Sequence, residues 1–210
     1  MKLFEKLPEG FSFINDDESY QLTLLTLSLA FGDNHYPVPS IPIRHEASIK
    51  YQHHVCKLFL DHCLKEGLVL TNDDYTACIA ISPMEKRAEL DIDEITSKCK
   101  EYLDEDICEN QRQVLLRMGE VESVLDDIYK PNDIFIEMFA VVTQMQRRKL
   151  GSKLMKALFE ECDKQKRDIY LATSTELNYD IYKHFGFEIV KRDYCKELNA
   201  VTYVLVRKHK

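Results

Sequence analysis

The order of apolar and polar positions divides the chain into helical and extended stretches. Phe11 to Ile14 is a short apolar piece that fits an edge strand. Asp16-Asp17-Glu18 sets acids ahead of the apolar run Tyr20 to Phe31, which predicts a helix whose N-terminal dipole suits those charges. Gly32 to Pro37 stops that helix, and Pro37, Pro39 and Pro42 keep the next stretch irregular. From about Glu46 to Lys65, Ile49, Val55, Leu58, Phe59 and Leu64 recur at helical spacing, with Gly67 as the stop. Leu68 to Leu70 and Tyr75 to Ile81, parted by Asn72-Asp73-Asp74, predict a hairpin that Pro83 ends. The charged span from Ile92 to Tyr129 carries apolar residues at helical intervals. It predicts one or two amphipathic helices, broken by Pro131-Asn132-Asp133.

The last third has the strongest pattern. Ile134 to Val142 is apolar except for Glu137 and predicts a central strand covered on both faces. The basic stretch Gln146-Arg147-Arg148-Lys149 then leads through Gly151 into a helix from Ser152 to Lys166, where Leu154, Met155, Leu158, Phe159 and Cys162 form one stripe. Asp168 to Thr173 predicts a second buried strand, and Asn178 to Phe185 a short helix ending at Gly186. Phe187 to Val190 and Val201 to Val206 close the pattern as strands. With no internal repeat, the expectation is one mixed α/β domain over 1–210.

Composition removes several function classes. Of the 210 residues, 45% are hydrophobic and 30% charged, and the net charge of -8 is too negative for a nucleic-acid partner to be expected. The longest apolar run, Leu22 to Phe31, is broken by Thr23, Thr26 and Ser28 and falls well short of the about 20 residues that cross a bilayer, so no membrane partner is expected. The seven cysteines are scattered, with no Cys-x-x-Cys, and no Asn-x-Ser/Thr is present. Together with an N-terminus lacking an apolar secretion segment, they predict a cytoplasmic protein with free thiols. His53, His54, Cys56, His62 and Cys63 lack a compact four-ligand spacing, so no metal is expected.

The strand, basic turn and helix around Gly151 carry the chemistry. First-turn N–H groups of a helix have no partner within it, and the dipole there favours an anion. A glycine brings backbone close to a phosphate, and Arg147, Arg148 and Lys149 add positive charge to an otherwise acidic chain. The bland reading of the same residues is a turn glycine beside a solvated basic cluster.

Val141 to Leu154 resembles motif A of the GNAT superfamily, Gln/Arg-x-x-Gly-x-Gly/Ala between a strand and a helix. Gln146 and Gly151 fill their places, and Lys149 stands where the first glycine belongs. Tyr170 to Phe187 resembles the later GNAT segment, Thr-Ser followed by Asn, Tyr and Gly-Phe, in the wording typical of the puromycin acetyltransferase-like branch; that branch often has an acid where this chain has Ala172. The resemblance implies a GNAT fold: an α/β (α+β) architecture with a central mixed, mostly antiparallel twisted sheet of about six to seven strands flanked by helices. It implies an acceptor side in 1–130 and an acetyl-CoA-binding core in 131–210.

By the same resemblance, acetyl-CoA is the co-substrate. Backbone N–H groups of Arg147, Arg148, Lys149, Leu150, Gly151 and Ser152 would hold its pyrophosphate, with Gln146 opening the loop. Phe139, Ala140 and Val141 would pair with its pantetheine arm. If the replaced glycine is there for a positive φ angle, Lys149 costs about 1 kcal/mol; if it is there only for clearance, Lys149 points outward and adds charge, and this is the favoured expectation. Tyr182 would be the general acid that protonates the departing thiolate; otherwise it is a core tyrosine. Asn178 either faces the same ligand or caps a helix. Glu137, which alternation places with Phe135 and Phe139 and away from Met138 and Ala140, is either the general base or a glutamate reaching solvent past a bulge. Asp33, His35 and Tyr36 are candidate acceptor contacts or only turn residues.

The function implied is transfer of an acetyl group to a primary amine, most simply of a small molecule, by a monomer or homodimer. A protein or peptide acceptor and a non-catalytic coenzyme A-binding module are the alternatives.

Overall fold

The computed structural model describes residues 2–33 and 46–210. Its framework is one seven-stranded sheet in the order β1-β2-β3-β4-β5-β7-β6. The strands are β1 (Phe11–Phe13), β2 (Leu68–Asn72), β3 (Ala77–Pro83), β4 (Ile134–Val141), β5 (Ile169–Thr173), β6 (Glu188–Cys195) and β7 (Ala200–Arg207). All neighbours run antiparallel except β4 and β5. The helices are α1 (Asp17–Gly32), α2 (Glu46–Glu66), α3 (Ile92–Cys99), α4 (Glu105–Glu122), α5 (Leu150–Gln165) and α6 (Glu176–His184). This is the mixed, mostly antiparallel sheet expected.

Local chemistry explains most boundaries. Asp16 caps α1 by accepting the Ser19 N–H at 2.7 Å, while the Ser19 hydroxyl accepts the Asp16 N–H at 3.2 Å. Gly67 ends α2 where a Cβ would lie 1.9 Å from the Ile81 carbonyl oxygen, so backbone approach requires the glycine. The hairpin turn is one residue longer than its composition implied. Tyr75 adopts φ 52° inside the turn, and the Asn72 side chain accepts the N–H groups of Thr76 and Ala77 at 2.8 and 2.7 Å.

Helices cover both faces of the sheet. On one, α5 and α6 pack over Leu70, Ile79, Ile136, Leu171 and Leu205. On the other, α1 and α2 cover Val69, Cys78, Ala80, Met138 and Ala140, while α4 and the turn after it cover Phe135, Tyr170, Val204 and Val206. Cys56 and Cys63 of α2 are wholly buried in that second layer, and all seven cysteines are free thiols. Among the described residues no group of His, Cys, Asp or Glu could hold a metal ion, and no helix is long and apolar enough to cross a membrane.

One irregularity shapes everything downstream. β4 and β5 pair only at Ile134 with Ile169 and Phe135 with Tyr170, although both strands continue. The β3–β4 ladder steps from Ile81–Ile136 to Ala80–Met138 and leaves Glu137 without a partner in the register. Glu137 is therefore the extra residue of a β-bulge, which bends and twists its strand. Beyond it β4 and β5 part.

Candidate functional site

The gap between the parted strands opens into a cleft of about 520 Å³. β4 from Ile136 to Val141 supplies one wall, Ala172 and Thr173 of β5 supply another, and α6 contributes Leu177, Asn178, Ile181 and Tyr182, with Phe185 at its C-cap. Met145, Gln146, Arg147 and Lys149 to Ser152 close one end, and Ala30 and Phe31 of α1 also line the space. Nothing in their sequence positions marked the contribution of Ala30 and Phe31. Leu177 is 70% exposed, an apolar side chain that is surface by composition and cleft wall by position.

The basic turn has an unusual backbone. Arg147 and Lys149 both take the left-handed conformation, with φ 63° and 66°. Lys149 is the N-cap of α5, and its side chain makes no capping bond. The N–H groups of Lys149, Leu150, Gly151 and Ser152 find no acceptor among the described residues; the helix ladder begins with Lys153 N–H donating to the Lys149 carbonyl at 2.9 Å. Left-handed turns followed by free first-turn donors form a concavity suited to anions. The Gln146 side chain donates back to the Val141 carbonyl at 3.3 Å and holds the turn against the end of β4. Arg148 alone of the basic turn does not line the cleft.

Two expectations for this turn change. Lys149 occupies a positive-φ position, so the glycine of the motif is there for conformation and not for clearance. An L-residue costs about 1 kcal/mol at such a site. Gly151, by contrast, is helical, and its missing Cβ makes room for packing: a Cβ would meet Phe139 Cζ at 2.9 Å and Val141 Cγ2 at 3.4 Å. Its clearance faces the strand beneath.

Tyr182 stands beside that strand. Its ring is 6.5 Å from the Phe139 ring and 5.6 Å, edge-on, from Phe187. Its hydroxyl has no hydrogen-bond partner among the described residues, and burial raises it well above the ordinary phenol range, so it stays protonated at neutral pH. Asn178 lines the cleft one turn earlier and is not the helix cap. Thr175 caps α6, accepting the Asn178 N–H at 3.1 Å.

Glu137 lies on the other side of the cleft floor. The bulge shifts the alternation, so Phe135 packs beneath α4 and Phe139 beneath α5, on opposite faces. The simple alternation that grouped Glu137 with both is thereby overturned. The carboxylate accepts the Ser82 hydroxyl at 2.5 Å and the Ala88 N–H at 2.8 Å. Burial raises its pKa, and those two donors, with His62 and Arg87, offset part of the rise. The bulge leads Glu137 into the cleft and not out to bulk water.

Asp33 is the C-cap of α1, and its carboxylate accepts the Thr143 hydroxyl, tying α1 to the loop after β4; it does not line the cleft. His35 and Tyr36 lie outside the described residues. Thus Tyr182, Glu137, Asn178, Phe139 to Val141 and most of the basic turn meet in one space, while Arg148 and Asp33 stand at its margin.

A family model of the acetyltransferase (GNAT) domain matches residues 92–204. No curated protein matches the chain by sequence. Among solved structures, arylalkylamine N-acetyltransferase 2 from Aedes aegypti superposes with a TM-score of 0.63 at 13% identity, covering 95% of this chain and 98% of that one. A polyamine N-acetyltransferase from Drosophila melanogaster gives 0.60 at 12% identity over 94% and 98%. A histone acetyltransferase HPA2 and related acetyltransferase from Corynebacterium glutamicum gives 0.59 at 9% over 95% and 96%. At such identities the likeness is one of fold.

Proposed function

The chain belongs to the GNAT acetyltransferase family and is an acyltransferase; from that premise we propose that it transfers the acetyl group of acetyl-CoA to a primary amine of a small molecule. The observation that carries this reading is the single cleft lined at once by the donor-rich start of α5, by Tyr182 and by Glu137.

The site fits the co-substrate. Four backbone donors without acceptors and three nearby cations suit a pyrophosphate. A cleft of about 520 Å³ falls within the range of small-ligand sites. Lys149 to Ser152 would hold the phosphates, and the open edge of Phe139 to Val141 would receive the amide-bearing arm. Bound there, acetyl-CoA supplies an electrophilic carbonyl and a thiolate leaving group. Glu137 takes a proton from the incoming ammonium, directly or through water. Tyr182 gives its hydroxyl proton to the sulfur. Burial holds the Tyr182 hydroxyl above the ordinary phenol range, so it keeps its proton until charge develops on the departing sulfur and gives it up in that step.

The order Thr173-Ser174, Asn178, Tyr182, Gly186-Phe187 supports kinship with the puromycin acetyltransferase-like branch and a small-molecule acceptor. Acetyl-CoA consumption measured across a panel of arylalkylamines, polyamines, amino-acid amides and short peptides tests the proposal. Turnover restricted to peptides would move the acceptor class to protein N-termini or lysines, and no turnover with any amine would overturn the reading.

A further inference from the structure

The two hydrogen bonds that Glu137 accepts both end on the same oxygen. Ser82 Oγ donates to Oε1 at 2.5 Å and the Ala88 N–H donates to it at 2.8 Å, so both lone pairs of Oε1 are engaged. Oε2 has no donor among the described residues, and Glu137 is only half-buried where it lines the cleft. Both donors are held in place. Ser82 is fully buried on β3, opposite Phe135 in the ladder, and reaches across to Glu137 further along β4. Ala88 follows a segment that is tied down on several sides. The Met84 N–H donates to the Asp133 carbonyl at 2.8 Å, His62 Nε2 of α2 donates to the Lys86 carbonyl at 2.7 Å, and Arg87 Nη2 pairs with Asp126 at 3.0 Å.

We propose that Ser82 is a positioning residue for the acyl transfer: with the Ala88 N–H it pins Oε1 of Glu137 and leaves Oε2 as the oxygen that takes the proton of the acceptor ammonium. This rests on the reading of Glu137 as the base. In that step an N–H bond of the ammonium breaks, its electron pair stays on nitrogen, and an O–H bond forms at Oε2. A neutral amine then faces the thioester carbonyl, beside a neutral carboxyl. An oxygen that already holds two donors is the poorer proton acceptor, and the free oxygen beside it is the better one. Fixing the plane of the carboxylate also removes a rotation that would otherwise have to be frozen during reaction. The same donors favour the charged form against the burial that raises its pKa. The other titratable and charged groups acting on Glu137 are His62 and the Cys63 thiol of α2, Arg87 beside Ala88, and Glu122 at the end of α4. The hydrogen bonds, and with them the choice of oxygen, belong to Ser82 and Ala88.

The test is Ser82→Ala, which deletes the hydroxyl and little else, assayed across pH with acetyl-CoA and the best amine of the panel. The plateau kcat is expected to fall by about tenfold, with the KM for acetyl-CoA unchanged. The acid limb of kcat/KM should move up by about one pH unit, because the lost donor favoured the charged form. Ser82→Thr keeps the hydroxyl and should restore the limb and most of the rate. An unmoved limb in a folded Ser82→Ala protein, or a folded Ser82→Thr protein that behaves like the alanine variant, overturns the proposal. One measurement needs no variant. In the unaltered protein the amide proton of Ala88 should shift in NMR with the midpoint of that limb, because its acceptor loses charge there. An Ala88 amide that does not respond across the limb overturns the proposal as well. Glu137→Gln separates this inference from its premise. If that change leaves kcat intact, the base assignment fails; if kcat collapses while the limb of Ser82→Ala stays in place, only the role of Ser82 fails.

Discussion

Gly151 packs against the Phe139 side chain so closely that any Cβ at 151 would lie 2.9 Å from Phe139 Cζ. The first turn of α5 therefore rests directly on the strand whose open edge lines the cleft. Gly151→Ala should be accommodated by a small movement of the ring. Gly151→Val should displace Phe139 and tilt the N–H groups of the turn. We expect about 1–3 kcal/mol of destabilisation for the valine variant from overpacking, and at least a tenfold rise in the Kd for acetyl-CoA by calorimetry. Unchanged affinity in the valine variant would separate the turn from ligand binding.

Tyr182→Phe keeps the ring contacts with Phe139 and Phe187 and deletes one proton. General acids contribute about 10²–10⁴-fold, so kcat should fall by about 10²-fold, with the Kd for acetyl-CoA and the melting temperature nearly unchanged. A variant as fast as the parent removes Tyr182 from proton transfer.

Lys149 is held at φ 66°. Lys149→Gly should raise stability by about 0.5–1 kcal/mol by relieving a left-handed L-residue. Lys149→Ala keeps that strain and loses the charge, so it should raise nothing. Thermal denaturation of the two variants side by side distinguishes conformation from charge. Both variants should lose acetyl-CoA affinity more at low salt than at high salt, because the missing interaction is screened.

Asp168 ties the C-terminal segment to the start of β5. Its carboxylate accepts Lys208 Nζ at 2.8 Å, the His209 N–H at 3.0 Å and contacts His209 Nδ1 at 2.8 Å. Burial alone would raise its pKa; these donors together outweigh burial and hold it below the usual carboxylate value. A depressed folded pKa contributes stability that is present above the unfolded value of about 3.9 and is lost as pH falls through the folded one. Asp168→Asn should cost about 1–3 kcal/mol at pH 7 in urea unfolding. The gap between variant and parent should close well below pH 4; a gap that persists there would assign the cost to packing.

Periodicity carried the elements because each depends on local order. The stripe from Leu154 to Cys162 needs only its own spacing to declare a helix, and the acids of Asp16 to Glu18 lie within one turn of what they cap. Glu137 shows where that reasoning stops. Alternation assumes a regular ladder, and one unpaired residue opposite Ala80 and Ile81 reverses the faces of everything after it. The same holds for Lys149, whose backbone angle is imposed by the turn joining β4 to α5 and leaves no trace in composition.

Two residue pairs are a narrow seam for a seven-stranded sheet. On one side lies a leaf of four strands, on the other a leaf of three, and past Phe135 and Tyr170 only the overlying helices stop them from rocking about that seam. Any extended molecule with amide groups that enters the gap laces the leaves together. Occupancy then becomes a mechanical property of the protein, to be read as slower hydrogen exchange at the amides of 136–141 while the β2–β3 hairpin keeps its own rate.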